Sequence, residues 1–184
     1  MKPLILTIFL IIIIVVGCNV ETEKKEIIEP TEIVGEVVKM KLTSPAFENK
    51  QEIPSEYTCD GSDTSPELNI ADVPENAKSL VLICDDPDAP VGIWDHWVVF
   101  NIPTDTTKIA KGTEPSGVAG KNSWGKTGYG GPCPPSGTHR YFFKLYALDT
   151  TLDLKEGSDK KDIESAMKGH VIAQAELMGT YSRK

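Results

Sequence analysis

The chain has 184 residues, 40% of them hydrophobic, and a formal net charge of −8 at neutral pH. That length supports one domain with one good core. An acidic domain gains nothing from counterion release, so a nucleic-acid partner is not expected.

Residues 1–17 carry one basic residue, Lys2, and then an apolar run, Leu4 to Gly17, broken only by Thr7. The run is shorter than the ~20 residues that span a bilayer and has the length of a signal-peptide core. It ends in Val15-Val16-Gly17-Cys18, which resembles the lipobox of bacterial and archaeal lipoproteins. The resemblance implies cleavage before Cys18, thioether lipidation of Cys18, and a domain anchored by lipid to the extracytoplasmic side of the cell membrane. An ordinary signal or an uncleaved anchor stays open, and either also exports the domain. Residues 18–37 form the expected tether: from Asn19 to Glu36 there are six Glu against two Lys, with Pro30 and no apolar period. The domain proper is expected over 38–184.

Val37 to Thr43 alternates like an edge or half-buried strand, and Asn49 to Ile53 reads as a shorter one. Tyr57 to Pro66 is a polar loop with Asp60-Gly61 and Ser65-Pro66 as turn signals, and Glu67 to Ile70 is a short strand. Ser79 to Cys84 is a near-continuous apolar run, the pattern of a strand buried on both faces. Pro87 and Pro90 then remove two backbone donors, so Asp85 to Pro90 is expected to turn outward as a stiff acidic loop. Trp97 to Ile102 is the next strand.

Thr104 to Lys111 is weakly patterned. Gly112 to Gly137 holds eight glycines and four prolines without helical or strand period. Loops this long are either functional or disordered, and Trp124 and Tyr129 favour the ordered, functional reading. His139 to Asp149 is the clearest strand, rich in aromatics and expected to be central. A helix follows with Asp159 as N-cap, Ile163, Ala166 and Met167 on one face, and Gly169 as its stop. His170 to Tyr181 is a closing strand. The pattern is mainly β, a sandwich or Greek-key arrangement with one or two short helices.

Asp86, Asp88, His96 and His139 could serve a metal site or an acid/base pair, but their spacing is not diagnostic. A metal-dependent hydrolase using these four is the alternative reading. No Gly-x-Ser-x-Gly elbow and no Gly-x-x-x-x-Gly-Lys phosphate loop is present. Glycines 128, 130 and 131 can bring backbone amides near an anion. Cys84 reads as a core residue. Cys59 and Cys133 lie in loops of an exported protein, where a disulfide can persist, and sequence leaves their pairing open.

Three motifs in order resemble the phosphatidylethanolamine-binding protein family, in its bacterial and archaeal Raf-kinase-inhibitor-like branch. They are Asp86-Pro87-Asp88-Ala89-Pro90, His96-Trp97, and Gly131-Pro132-Cys133-Pro134-Pro135-Ser136-Gly137-Thr138-His139-Arg140-Tyr141. The resemblance implies a β-sandwich of antiparallel sheets with a small pocket for phosphate-like groups or phospholipid head groups. By motif position, Asp86, Pro90, Trp94, His96, Gly131, His139 and Tyr141 would form that pocket, Gly131 through its backbone. No metal or cofactor is implied, and the constellation is not a catalytic one. Members of the family bind or inhibit kinases or serine proteases, and outside the cytoplasm a protease is the target class expected first. The chain ends soon after the closing strand, so a small, open anion site is expected rather than one roofed by a C-terminal helix. Asp86 would repel a dianion unless it is protonated or orients one of the histidines.

Overall fold

The computed structural model describes residues 40–183. The expected signal peptide, Cys18, the expected tether and the start of the first expected strand lie outside the described residues.

Among the described residues, eight strands, β1 (Lys41–Thr43), β2 (Leu68–Ala71), β3 (Ser79–Asp86), β4 (Trp94–Ile102), β5 (Lys108–Ile109), β6 (Val118–Ala119), β7 (Thr138–Leu148) and β8 (Val171–Ser182), are joined by one helix, α1 (Lys160–Met167). A single 3₁₀ turn spans Ser55–Tyr57. The strands form two antiparallel sheets, one ordered β1-β2-β5 and the other β6-β4-β3-β7-β8. The expected mainly β sandwich is the architecture present.

The large sheet is buried on both faces at β3 and β4 and on one face at β7 and β8, and the strand sequences follow from that. Leu80, Leu82 and Cys84 of β3, with Tyr141, Phe143 and Leu145 of β7, enter the core between the sheets. Val81 and Ile83 of β3, with Val98 and Phe100 of β4, face the opposite way and are covered by Leu152, Ile163 and Met167. Every β3 residue is buried, which is why its sequence runs apolar without alternation. Helix α1 has Asp159 at its N-cap, and Ile163 and Met167 are its buried side chains. Ala166 is only partly buried against this second cluster.

Three expectations need correction. First, β3 does not stop at Cys84. Asp85 and Asp86 continue it, paired with Phe142 of β7 and with Asp95 and Trp94 of β4, and the chain turns outward only from Pro87. An acid is tolerated in a central strand when its charge is met. Asp85 is 1% exposed and contacts the amines of Lys144 at 2.9 Å and Lys160 at 2.7 Å. Second, Asn49 to Ile53 is not a strand. Lys50 sits at φ 70°, which breaks extended geometry, although Lys50 and Ile53 donate backbone bonds to Met178 and Thr180 of β8. Third, the glycine-rich span contains β6, and the weakly patterned segment before it contains β5. At two residues each, neither carries a readable period.

Candidate ligand-binding site

The site lies where β3, β4 and β7 end together. A cavity of ≈ 510 Å³ opens there. Asp86, Pro90, Trp94, His96, Gly131 and His139 line it, so six of the seven residues named from sequence surround one space. The seventh, Tyr141, packs behind His96, with ring centroids 5.2 Å apart and planes nearly perpendicular.

Asp86 and His139 are the buried pair at this end of the sheet. His139 Nδ1 lies 2.7 Å from Asp86 Oδ2, and the Asp88 amide donates to Asp86 Oδ1 at 2.8 Å. Both carboxylate oxygens are therefore engaged, and the carboxylate orients His139. His96 is oriented differently: its Nδ1 donates to the Gly130 carbonyl at 2.7 Å, while the Gly130 amide donates to the His96 carbonyl at 3.0 Å. With Nδ1 committed inward, each ring has Nε2 left for the cavity. Burial pushes His96 below the ordinary histidine range, against the opposing pull of the Gly130 carbonyl and the Asp86 and Asp95 charges. Neutral His96 therefore presents Nε2 as an acceptor, and as a donor only after protonation.

Tyr141 is fully buried and its hydroxyl has no well-formed hydrogen bond, with the Cys133 backbone close enough to pull its pKa down against the larger effects. Burial, and then the Asp86 charge, push its phenol far above the usual range, so it stays a donor. A buried hydroxyl without a well-formed hydrogen bond is costly and uncommon, which makes it informative beside a cavity.

Gly131 lines the cavity, but its amide is not offered to a ligand. It donates to Asp63 Oδ1 at 2.7 Å. Glycine is required there for closeness, since a Cβ would meet the Tyr57 carbonyl oxygen at 2.5 Å. At Gly130 a Cβ would meet the Trp124 ring at 2.6 Å, so any side chain there displaces Trp124 from its place at the site. The amides of glycines 130 and 131 are thus internal struts rather than anion donors.

Sequence reasoning named neither Asp63 nor Asn122, Trp124 and Lys126 as site residues, yet all line the cavity. Asn122 builds the loop: its Oδ1 accepts from the amides of Trp124 and Lys126, and its amide side chain donates to the Gly128 carbonyl. The loop sets Trp124 edge-on to His96 and Trp94 at 5.1 and 5.4 Å. The readable signal was an asparagine three residues before Gly125, an Asx-turn pattern. Across the cavity, Cys59 and Cys133 form a disulfide with Cα atoms 5.4 Å apart, joining two wall loops. Cys84 is a free thiol buried in the core.

Asp88 leaves the site. Its carboxylate takes the Arg140 guanidinium at 2.7 and 2.8 Å and the Arg140 amide at 3.0 Å, which hold its pKa down at about 2. Asp86, Asp88, His96 and His139 therefore do not converge on one point. Among the described residues no group of three or more His, Cys, Asp and Glu side chains is arranged to hold a metal ion.

The profile of the family described as "Phosphatidylethanolamine-binding protein" matches residues 43–182. A "UPF0098 protein" of Methanothermobacter thermautotrophicus is 54% identical over 150 residues, which is 78% of this chain and 99% of that one. A phosphatidylethanolamine-binding protein homologue from Chlamydia trachomatis, solved by crystallography, superposes with a TM-score of 0.78 at 47% identity, covering 80% of this chain and 99% of the other. YbcL of E. coli, described as a member of the mammalian family, gives a TM-score of 0.74 at 32% identity over 79% of this chain and 99% of its own. The matched part is nearly a whole chain in each of these three, so this domain corresponds to a unit that folds by itself. With a family profile covering most of the chain and solved relatives sharing its fold, the protein belongs to the phosphatidylethanolamine-binding protein family.

Proposed function

We propose that this protein binds a small phosphate-bearing ligand, free phosphate or a phospholipid head group, in the cavity at the ends of β3, β4 and β7. It does so as a lipid-anchored extracytoplasmic binding protein rather than as an enzyme. The observation that carries this reading is the polar set: two imidazoles fixed through Nδ1 with Nε2 left over, beside a buried Tyr141 hydroxyl that lacks a well-formed hydrogen bond. Asp86 supports binding over attack, because both of its oxygens already accept bonds. A ligand oxygen that carries a proton suits neutral His96, which accepts through Nε2 while the buried Tyr141 ring backs it. Inhibition of an extracytoplasmic serine protease, or of a kinase, is the activity the family affiliation suggests for the occupied or empty cavity.

Titration calorimetry of the domain with inorganic phosphate and with phosphoethanolamine tests the reading. Saturable binding is expected, weakened about tenfold or more in His139→Gln, as loss of a hydrogen bond to a charged group implies. Absence of saturable heat with either compound, in a folded domain, contradicts it.

A further inference from the structure

We infer that the mouth of the cavity is a membrane-docking edge, with Val91, Ile93 and Trp124 inserting at the surface of a zwitterionic bilayer. The inference rests on the head-group reading above, and names the surface that presents the cavity to its ligand.

The described residues include five large apolar side chains that stand exposed, and three of them gather at this mouth: Val91 at 76%, Ile93 at 61% and Trp124 at 44%. Val91 and Ile93 flank Gly92 on the turn between β3 and β4. There φ is 102° and a Cβ added to the glycine would meet no atom within 4 Å, so the turn projects freely. Trp124 comes from the separate Asn122 loop, its ring edge-on to Trp94, and both Val91 and Trp124 line the cavity itself. Apolar residues are thus raised on two separate loops around one polar opening. A tryptophan whose ring is half wet suits the interface between head groups and acyl chains.

Charge selects the kind of surface. The cavity lining carries two carboxylates, Asp63 and Asp86, against one amine, Lys126, and the whole chain has a formal net charge of −8. A strongly anionic bilayer repels such a domain, and a zwitterionic one does not. The chain before the domain points the same way. With the anchor expected at Cys18, 21 residues separate it from Met40. A flexible chain of that length spans on the order of 25 Å, so the mouth can reach the bilayer surface while the anchor stays embedded. The remaining exposed pair, Val171 and Ile172, starts β8 and takes no part in the cavity.

The test uses the domain from Glu36 to Lys184, which corresponds to nearly complete chains among its relatives, carrying an N-terminal hexahistidine tag. Tethering it to phosphatidylcholine vesicles that contain a nickel-chelating lipid reproduces the anchored geometry. Tryptophan emission is then read with brominated acyl chains as quencher. Quenching is expected in the native domain, reduced at least fivefold in Trp124→Phe and in the double variant Val91→Ser with Ile93→Ser. It should persist in Val171→Ser with Ile172→Ser, and weaken when phosphatidylglycerol replaces most of the phosphatidylcholine. Equal quenching in the two double variants, or none in a native domain that still binds soluble phosphoethanolamine, overturns the docking edge and leaves the cavity reading standing. A dimer in sedimentation that dissociates when Val91 and Ile93 become serine also overturns it. Quenching that survives in His139→Gln, which no longer binds phosphoethanolamine, upholds docking apart from head-group capture.

Discussion

His96 sets the pH behaviour of the site. Its folded pKa lies below the ordinary value because burial disfavours the charged ring, so the native state holds fewer protons than the unfolded chain just below pH 6.5. Its contribution to stability is complete above that pH and declines as pH falls toward the folded value. Anion binding runs the other way. Protonation turns Nε2 into a donor, so phosphate affinity should rise as pH falls through the His96 titration, and bound phosphate should raise the His96 pKa. Calorimetry between pH 7.5 and 5.5 reads this, and an affinity independent of pH would count against His96 as a ligand group. Asp88 belongs to a different range. Its folded value of about 2 means that the Arg140 pair stabilises the fold above the ordinary carboxylate range and is lost as pH falls toward 2. The pair is partly exposed, so Asp88→Asn is expected to cost no more than about 1 kcal/mol in urea denaturation at pH 7. The residue-scale chemistry of the site was partly legible. The two histidines and Asp86 stand out as types, but which acid faces inward depends on strand register, and register cannot be read from an Asp-Pro-Asp string. One residue separates Asp86 in the strand from the turn that hands Asp88 to Arg140.

At the scale of elements, α1 is held to the sheet by more than Ile163 and Met167. The Lys160 amine lies 2.7 Å from Asp85 and 2.9 Å from Asp95, linking the helix to β3 and β4 one residue behind the cavity. Burial lowers the Lys160 pKa, but the bonds to Asp85 and Asp95 outweigh it, and the amine is held above its usual value. Removing Lys160 leaves buried Asp85 with Lys144 alone and partly exposed Asp95 without its amine, so Lys160→Ala should cost about 2 kcal/mol in equilibrium urea unfolding. A loss below about 1 kcal/mol would show that water reaches the site and replaces the lysine. The long strands were legible for different reasons, β3 because a continuous apolar run fits a strand covered on both sides, and β7 because an aromatic-rich run of that length fits a strand with one buried face. The Asn122 loop was legible only as an ordered span, from Trp124 and Tyr129, because the device that orders it is one side chain bonding three backbone groups. In the same way Asn101 tolerates a φ of 54° within β4 while its side chain pairs with both the amide and the carbonyl of Leu152.

At the scale of the whole molecule, the sandwich supplies a rigid end and the loops complete the cavity on it. The Cys59–Cys133 disulfide closes a separation of 74 residues and ties the Tyr57 wall to the Pro132 wall. Replacing both cysteines with serine is expected to lower stability by about 2–4 kcal/mol, read by thermal unfolding. The large sheet should persist, since its strands and both core clusters are independent of the bridge apart from Tyr57. The resemblance brought the Asp86–His96 and Gly131–Tyr141 stretches to one pocket; what sequence did not show was that Asp63 and the Asn122 loop join them in the same space. The central claim is that this space accepts a phosphate-bearing group at the two histidines. Long-range ¹H–¹⁵N spectra of the imidazole nitrogens, recorded while inorganic phosphate is added to the folded domain, test it most directly. The expected result is saturable shifts at Nε2 of both His96 and His139, with His170, paired to Asp149 on the surface, unmoved. Shifts absent at His96 and His139, or equal at all three histidines, would contradict it.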